Sequence, residues 1–142
     1  MRFESFHHTS IGDLLSRQAT AFPDHPFIGF DEEQMTYLDV ERVSRAFAMS
    51  CIELGLKPKD RLALVLPNVP TFIVALFGAA KAGLILVPIN IRRSPSEMLA
   101  RLSKTRPKAL VTFSEPERFK GTDHLALVLS MQPELPALEF IF

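Results

Sequence analysis

Between Arg61 and Phe113 short apolar runs alternate with helix-capable segments without a break. Arg61–Leu66, Leu84–Ile89 and Ala109–Phe113 read as strands, and Leu84–Ile89 lacks polar alternation, the pattern of a strand covered on both faces. Pro70–Ala82 is a helix apolar nearly all round and closed by Gly83. Ser94-Pro95-Ser96-Glu97 opens the next helix with a Ser cap, Pro at the first helical position and an acid at the third. That helix stops before Pro107. Strands alternating with helices require an α/β fold, a mainly parallel sheet flanked by helices and joined by right-handed crossovers.

The same reading extends to both ends. Ser10-Ile11-Gly12-Asp13 has capping-box spacing, and Ile11, Leu14, Leu15 and Phe22 share one face of a helix ended by Pro23-Asp24. Phe27–Phe30 and Gln34–Leu38 form a small strand pair across the polar turn Asp31-Glu32-Glu33. A longer helix covers Asp39 to Leu54, with an inward stripe of Val40, Val43, Phe47, Cys51 and Leu54. Glu41 and Arg45 sit four apart on its outer side, and Gly55 supplies the left-handed position beyond its end. Downstream, Ser114-Glu115-Pro116-Glu117 predicts a short helix, Leu125–Leu129 a strand, and Leu138–Phe142 the start of another.

Composition removes several classes of function. The chain has 142 residues, enough for one domain, and 47% of them are apolar, enough for a core. Sixteen basic residues balance sixteen acidic ones, so no net field draws in nucleic acid or an anionic bilayer. Leu62 to Ala80 is a run of nineteen uncharged residues, long enough to span a bilayer. Pro67-Asn68-Val69-Pro70 breaks it, and a window moved to Thr71–Ile91 places Lys81 at its centre, so strand, turn, helix and strand is the better parse. No secretory signal begins the chain and Cys51 is the lone cysteine, so a cytoplasmic location is expected. The six glycines make no G-x-G pair. Gly78 and Gly83 have Walker spacing, but Leu84-Ile85 stands where Lys-Ser/Thr is needed, so no phosphate cradle of that kind exists.

Two short motifs carry a family resemblance. Met35-Thr36-Tyr37-Leu38-Asp39-Val40 resembles the first core motif of adenylate-forming enzymes. Ala80-Lys81-Ala82-Gly83-Leu84-Ile85-Leu86-Val87-Pro88-Ile89-Asn90 resembles the second. Leu54-Gly55-Leu56-Lys57-Pro58-Lys59-Asp60-Arg61-Leu62-Ala63-Leu64, Leu66-Pro67-Asn68 and Asn90-Ile91-Arg92 before Ser94-Pro95-Ser96-Glu97 are similar to that family in order and spacing. The likeness covers about residues 8–130 and points to the N-terminal part of an acyl-CoA synthetase or related AMP-forming ligase. It implies the N-terminal subdomain of that fold, with residues 1–142 an incomplete portion of a larger AMP-binding domain. The implied parent activates a carboxylic acid with Mg-ATP and passes the acyl group from the adenylate to coenzyme A. The Ser/Thr/Gly-rich phosphate loop, the Tyr-Gly-x-Thr-Glu segment, the ribose-binding Asp and the catalytic Lys of that family are not in this sequence. No catalytic residue, metal ligand or cofactor contact for ATP or Mg can therefore be assigned to the chain, which is expected to be inactive alone. Its partners would be the remainder of the same ligase, the acid and coenzyme A.

One site reading remains. Residues 92–108 hold Arg92, Arg93, Arg101, Lys104, Arg106 and Lys108 against Glu97, a local excess of five positive charges. In the resembled ligases an Arg after the Pro-hydrophobic-Asn corner contacts the phosphates of coenzyme A. Arg92, with Arg93 beside it, falls there; a guanidinium forks two donors onto phosphate oxygens. The competing reading is a solvated helix face. His7, His8, His25 and His124 are read as surface or loop residues rather than ligands, Cys51 as a small core residue, and Asn68 as a turn residue. Tyr37 is expected to pack at the strand–helix junction.

Other classes stay open. A free-standing, non-catalytic binding module could dock a partner, or a second copy, through the sheet edge at Leu138–Phe142. A receiver-type α/β enzyme needs an acidic pair, a strand-end Asp and a Lys that have no counterpart here.

Overall fold

The computed structural model describes residues 9–117 and 121–142. Its elements run α1 (Ile11–Ala21), β1 (Pro26–Phe30), β2 (Glu33–Thr36), α2 (Tyr37–Glu53), β3 (Arg61–Leu64), α3 (Pro70–Lys81), β4 (Ile85–Pro88), α4 (Pro95–Thr105), β5 (Ala109–Val111), α5 (His124–Met131) and β6 (Phe140–Ile141). The strands β3 to β6 form one parallel sheet in the order β4-β3-β5-β6, and β1 and β2 form a separate antiparallel pair. The expected α/β architecture is therefore present.

Helix starts are set by local chemistry. Ser10, Thr36 and Ser94 each cap their helix with a side-chain oxygen on the N3 amide, while Asp13, Asp39 and Glu97 reach back to the cap. Each box satisfies amides that a helix leaves without partners. The α2 helix thus begins two residues before the expected Asp39, because Thr36 supplies its cap. Gly55 and Gly83 take positive φ just past α2 and α3 (86° and 69°).

The sheet is covered on both faces. One face carries a cluster that includes Cys51, Leu62, Leu64, Ala75, Ala79 and Val111, under α2 and α3. The other carries Ala63, Val65, Met98, Leu102, Leu110 and Val128, under α4 and α5. Successive strand residues point to opposite faces, which is why Leu62 and Leu64 join one cluster and Ala63 and Val65 the other.

Several expectations are corrected. Leu125–Leu129 is helical, inside α5. Asp123 caps it by accepting the Ala126 N–H at 3.1 Å, and β5 and β6, being parallel, need a crossover that a hairpin cannot provide. A short apolar run alone does not separate the two cases. Of the expected short helix after Val111, Pro116 and Glu117 form a turn, and residues 118–120 lie outside the described ones. The α2 stripe is rotated: Val40, Ser44, Ala48 and Cys51 are buried, whereas Val43 and Leu54 are 47% and 45% exposed. Small residues face α3 because the two helices touch closely. A Cβ on Gly78 would stand 2.5 Å from Phe47 Cδ1 and 2.9 Å from the Ser44 carbonyl oxygen. The α1 helix behaves alike, burying Gly12, Leu15 and Ala19 while Ile11 and Phe22 face solvent. Leu84–Ile89 is not covered throughout: β4 lies at the sheet margin, with Ile85 exposed. A margin also tolerates Pro88, which has no N–H to give to a further strand.

Candidate functional site

Because β3, β4 and β5 are parallel, the segments leaving them gather along one edge of the sheet. From β3 the chain turns through α3 to β4 on one side, and from β5 through α5 to β6 on the other. Such divergence opens a crevice at the carboxyl ends of the two strands, the usual ligand position in open α/β sheets. A cavity of about 320 Å³ lies there, between Leu66–Thr71 and Thr112–Glu115, with Phe30 and Glu33 of the hairpin beside it. Thr112 Oγ1 is buried in its wall with no hydrogen-bond partner among the described residues. Sequence reasoning missed this crevice. The signal is the strand order, which a list of elements in chain order does not contain.

Arg92 and Arg93 lie on the same edge, in the corner between β4 and α4. Asn90 Oδ1 accepts the Arg92 N–H at 2.9 Å and its carbonyl oxygen accepts the Arg93 N–H at 3.2 Å. Arg93 then pairs with Glu97 across 3.0 Å on an exposed surface. Arg92 is exposed and makes no ion pair among the described residues. The basic segment of residues 92–108 is not one patch. The α4 helix spans eleven residues, about 16 Å at 1.5 Å each, between its two ends. Arg92 and Arg93 precede it, whereas Lys104, Arg106 and Lys108 lie at or beyond its far end, where Lys108 already pairs with Asp60 at 3.4 Å.

Lys81, from the second motif, has a different duty. Its Nζ donates to Ser16 Oγ at 2.7 Å and to the Gly12 carbonyl oxygen at 3.1 Å, and pairs with Glu41 Oε2 at 2.8 Å. Lys81 and Glu41 side chains are only 13% and 17% exposed. The three donors of one ammonium thus tie α1, α2 and α3 together. Glu41 is consequently not on the outer side with Arg45, as its i, i+4 spacing suggests, but faces the helix junction. Gly12 is required there, since a Cβ would stand 2.9 Å from Lys81 Cγ.

His124 is also corrected. It is 3% exposed, at the start of α5, with its ring stacked on Phe113 at 4.7 Å between centroids. The Asp beside it is occupied as the helix cap, so the pair is neither a chelate nor a solvated loop. His25 is exposed, as expected, while His7 and His8 lie outside the described residues. Cys51 is buried and its thiol is pushed up to about 11 by burial, the state of an inert core residue. Tyr37 stacks on Phe27 at 4.5 Å, closing the strand–helix junction. Among the described residues no three His, Cys, Asp or Glu side chains cluster to hold a metal ion, and no helix is long and apolar enough to cross a membrane.

Residues 15–140 match the family of AMP-binding enzymes. The chain belongs to that family. Over 108 residues it is 37% identical to a long-chain-fatty-acid–CoA ligase of Salmonella typhimurium, an alignment covering 75% of this chain and 19% of the relative. It therefore spans about a fifth of the length of the ligase it matches. The fold superposes on the anthranilate CoA ligase AuaEII, solved with anthranoyl-AMP, at a TM-score of 0.85 and 22% identity, covering 99% of this chain and 26% of that one. It superposes on the N-terminal domain of FACL13 from Mycobacterium tuberculosis at 0.79 and 24% identity, covering 94% and 33%. The α/β sheet with its small strand pair is thus the fold of the N-terminal region of adenylate-forming ligases. The family motifs have local reasons in this chain: Thr36 and Asp39 cap α2, Lys81 joins three helices, Gly83 turns at positive φ against Pro58, and Asn90 folds the Arg92 corner.

Proposed function

We propose that this chain is the N-terminal part of an acid–thiol ligase of the acyl-CoA synthetase type. In the whole protein a carboxylate oxygen would attack the α-phosphorus of ATP and release pyrophosphate. The thiol sulfur of coenzyme A would then attack the acyl carbon and release AMP. The similarity to a long-chain-fatty-acid–CoA ligase across three quarters of the chain carries this reading. Among the described residues no three carboxylate, imidazole or thiol side chains converge to hold magnesium.

The contribution of these residues is framework and recognition rather than bond making. The sheet sets one carboxyl edge, and on it Arg92 presents a guanidinium with no ion-pair partner among the described residues, from a backbone held by Asn90. That geometry suits two charge-assisted hydrogen bonds to a phosphate of coenzyme A. In the ligase, Arg92→Ala is expected to raise the KM for coenzyme A at least about tenfold, since it removes both charge-assisted hydrogen bonds. Adenylation should be untouched. An unchanged KM removes the assignment.

The chain alone should form no adenylate, because no residue of the family's phosphate loop is present in it. Carboxylate-dependent exchange of pyrophosphate into ATP by the purified 142-residue chain would overturn this.

A further inference from the structure

The corner that carries Arg92 is held from two directions. From within, Asn90 closes an Asx-type turn: its side-chain oxygen accepts from Arg92 N–H and its carbonyl oxygen from Arg93 N–H. From the side, His124 Nε2 lies 3.4 Å from the Ile91 carbonyl oxygen, the residue between Asn90 and Arg92. A carbonyl oxygen only accepts, so in this contact Nε2 is the donor. Nδ1 is buried and has no partner among the described residues. A phenylalanine would fill the same space, stack on Phe113 equally well and leave no orphaned nitrogen. What imidazole adds at this place is one N–H aimed at the Arg92 segment.

The stack on Phe113 also places His124 between two parts of the carboxyl edge. Phe113 lines the crevice beyond β5, and Ile91 belongs to the corner beyond β4. The ring therefore bridges the segment beyond β5 and the corner beyond β4.

We propose that Asn90 and His124 are positioning residues for Arg92, fixing the backbone from which its guanidinium meets a phosphate of coenzyme A; this rests on the reading of Arg92 given above. Neither residue touches the phosphate. Asn90 fixes the turn, and His124 fixes the turn relative to β5 and α5. Loss of either leaves the guanidinium intact but lets its attachment point wander, so the phosphate interaction loses pre-organisation rather than charge.

The test has two readouts. In the 142-residue chain, the Arg92 amide should exchange with solvent at least tenfold faster in Asn90→Ala than in the parent, and at the parent rate in Asn90→Asp, whose oxygen still accepts. Equal exchange in Asn90→Ala and parent overturns the role of Asn90 whatever Arg92 binds. In the ligase, Asn90→Ala and His124→Phe should each raise the KM for coenzyme A three- to tenfold while kcat and adenylate formation stay within twofold. Asn90→Asp and His124→Gln, which restore an acceptor and an N–H donor, should return the KM toward the parent value. If Arg92→Ala raises the KM and the two positioning variants do not, the positioning role is wrong and the Arg92 reading stands. If Arg92→Ala itself changes nothing, the coenzyme reading fails and the proposal fails with it. A parallel loss of adenylation in Asn90→Ala or His124→Phe marks a merely structural role and also overturns it.

Discussion

Lys81 and Arg92 lie on either side of β4, eleven positions apart, and make opposite use of a positive charge. Lys81 is nearly buried and spends its donors on Glu41, Ser16 and the Gly12 carbonyl oxygen. Arg92 is exposed, and its backbone N–H is held while its guanidinium pairs with nothing described. A cation whose donors are satisfied inside the fold is part of the framework, even within a family motif. A cation left unpaired on a fixed backbone is available to a ligand. Sequence alone shows two basic residues beside one strand; burial and partners separate them.

The largest expected effect breaks the first half of that contrast. Lys81→Met keeps much of the aliphatic stem but leaves Glu41 as an uncompensated, mostly buried carboxylate. Removing one partner of a buried pair costs about 3–5 kcal/mol; with 13% and 17% exposure the lower end is expected. Urea unfolding of Lys81→Met, Glu41→Leu and the double variant measures it. The double variant should recover most of the loss, because replacing both charges by apolar groups removes the orphan. A double variant as unstable as the sum of the singles shows that Lys81 acts through packing alone.

What the sequence carried, and what it hid, follows from range. The capping boxes of α1 and α4, the turn glycines and the β3–β5 rhythm are local or periodic, so Ser10, Ser94, Gly55 and Gly83 could be assigned from their neighbours. Lys81 meets Ser16 and Glu41 across 65 and 40 positions, a contact that no window reveals. The inward face of α2 is hidden from its sequence for a related reason. Hydrophobicity marks Val43 and Leu54, but the close approach of α3 favours Ser44 and Ala48. The position of the Arg92 corner, though not its role, was legible through the family motif. The burial of His124 was not, for it depends on where α5 settles over β5. The apolar run Leu125–Leu129 reads as a strand, although its length fits a helix equally, and it is helical.

A middle-sized effect tests whether the capping carboxylates belong with Lys81, as framework. The Thr36 hydroxyl and then its backbone N–H hold Asp39 below the ordinary carboxylate range, and Ser10 does the same for Asp13. A carboxylate depressed in the folded state stabilises fully above its unfolded value, near 3.8, and loses that contribution as pH falls through the lower folded value. Thr36→Ala removes the capping oxygen and should lower stability by about 0.5–2 kcal/mol at neutral pH, the usual worth of a helix N-cap. The gap in melting temperature between parent and variant should stay constant above pH 5 and shrink below pH 4. A gap that persists unchanged to pH 2 would show that Asp39 takes no part in the cap.

The smallest effect sharpens the other half. Arg92→Ala removes an exposed side chain with no partner among the described residues and leaves the Asn90 turn intact, since that turn uses the Arg92 backbone N–H. Stability should shift by no more than about 0.5 kcal/mol, the range of surface substitutions away from special features. Equilibrium unfolding of the purified chain checks it, beside Arg93→Ala, which additionally loses the exposed pair with Glu97 and should fall in the same range. A loss above 1 kcal/mol for Arg92→Ala would place Arg92 with Lys81, as a residue the fold requires. A near-zero loss leaves the guanidinium without a structural duty and free to serve a ligand at the carboxyl edge of the sheet.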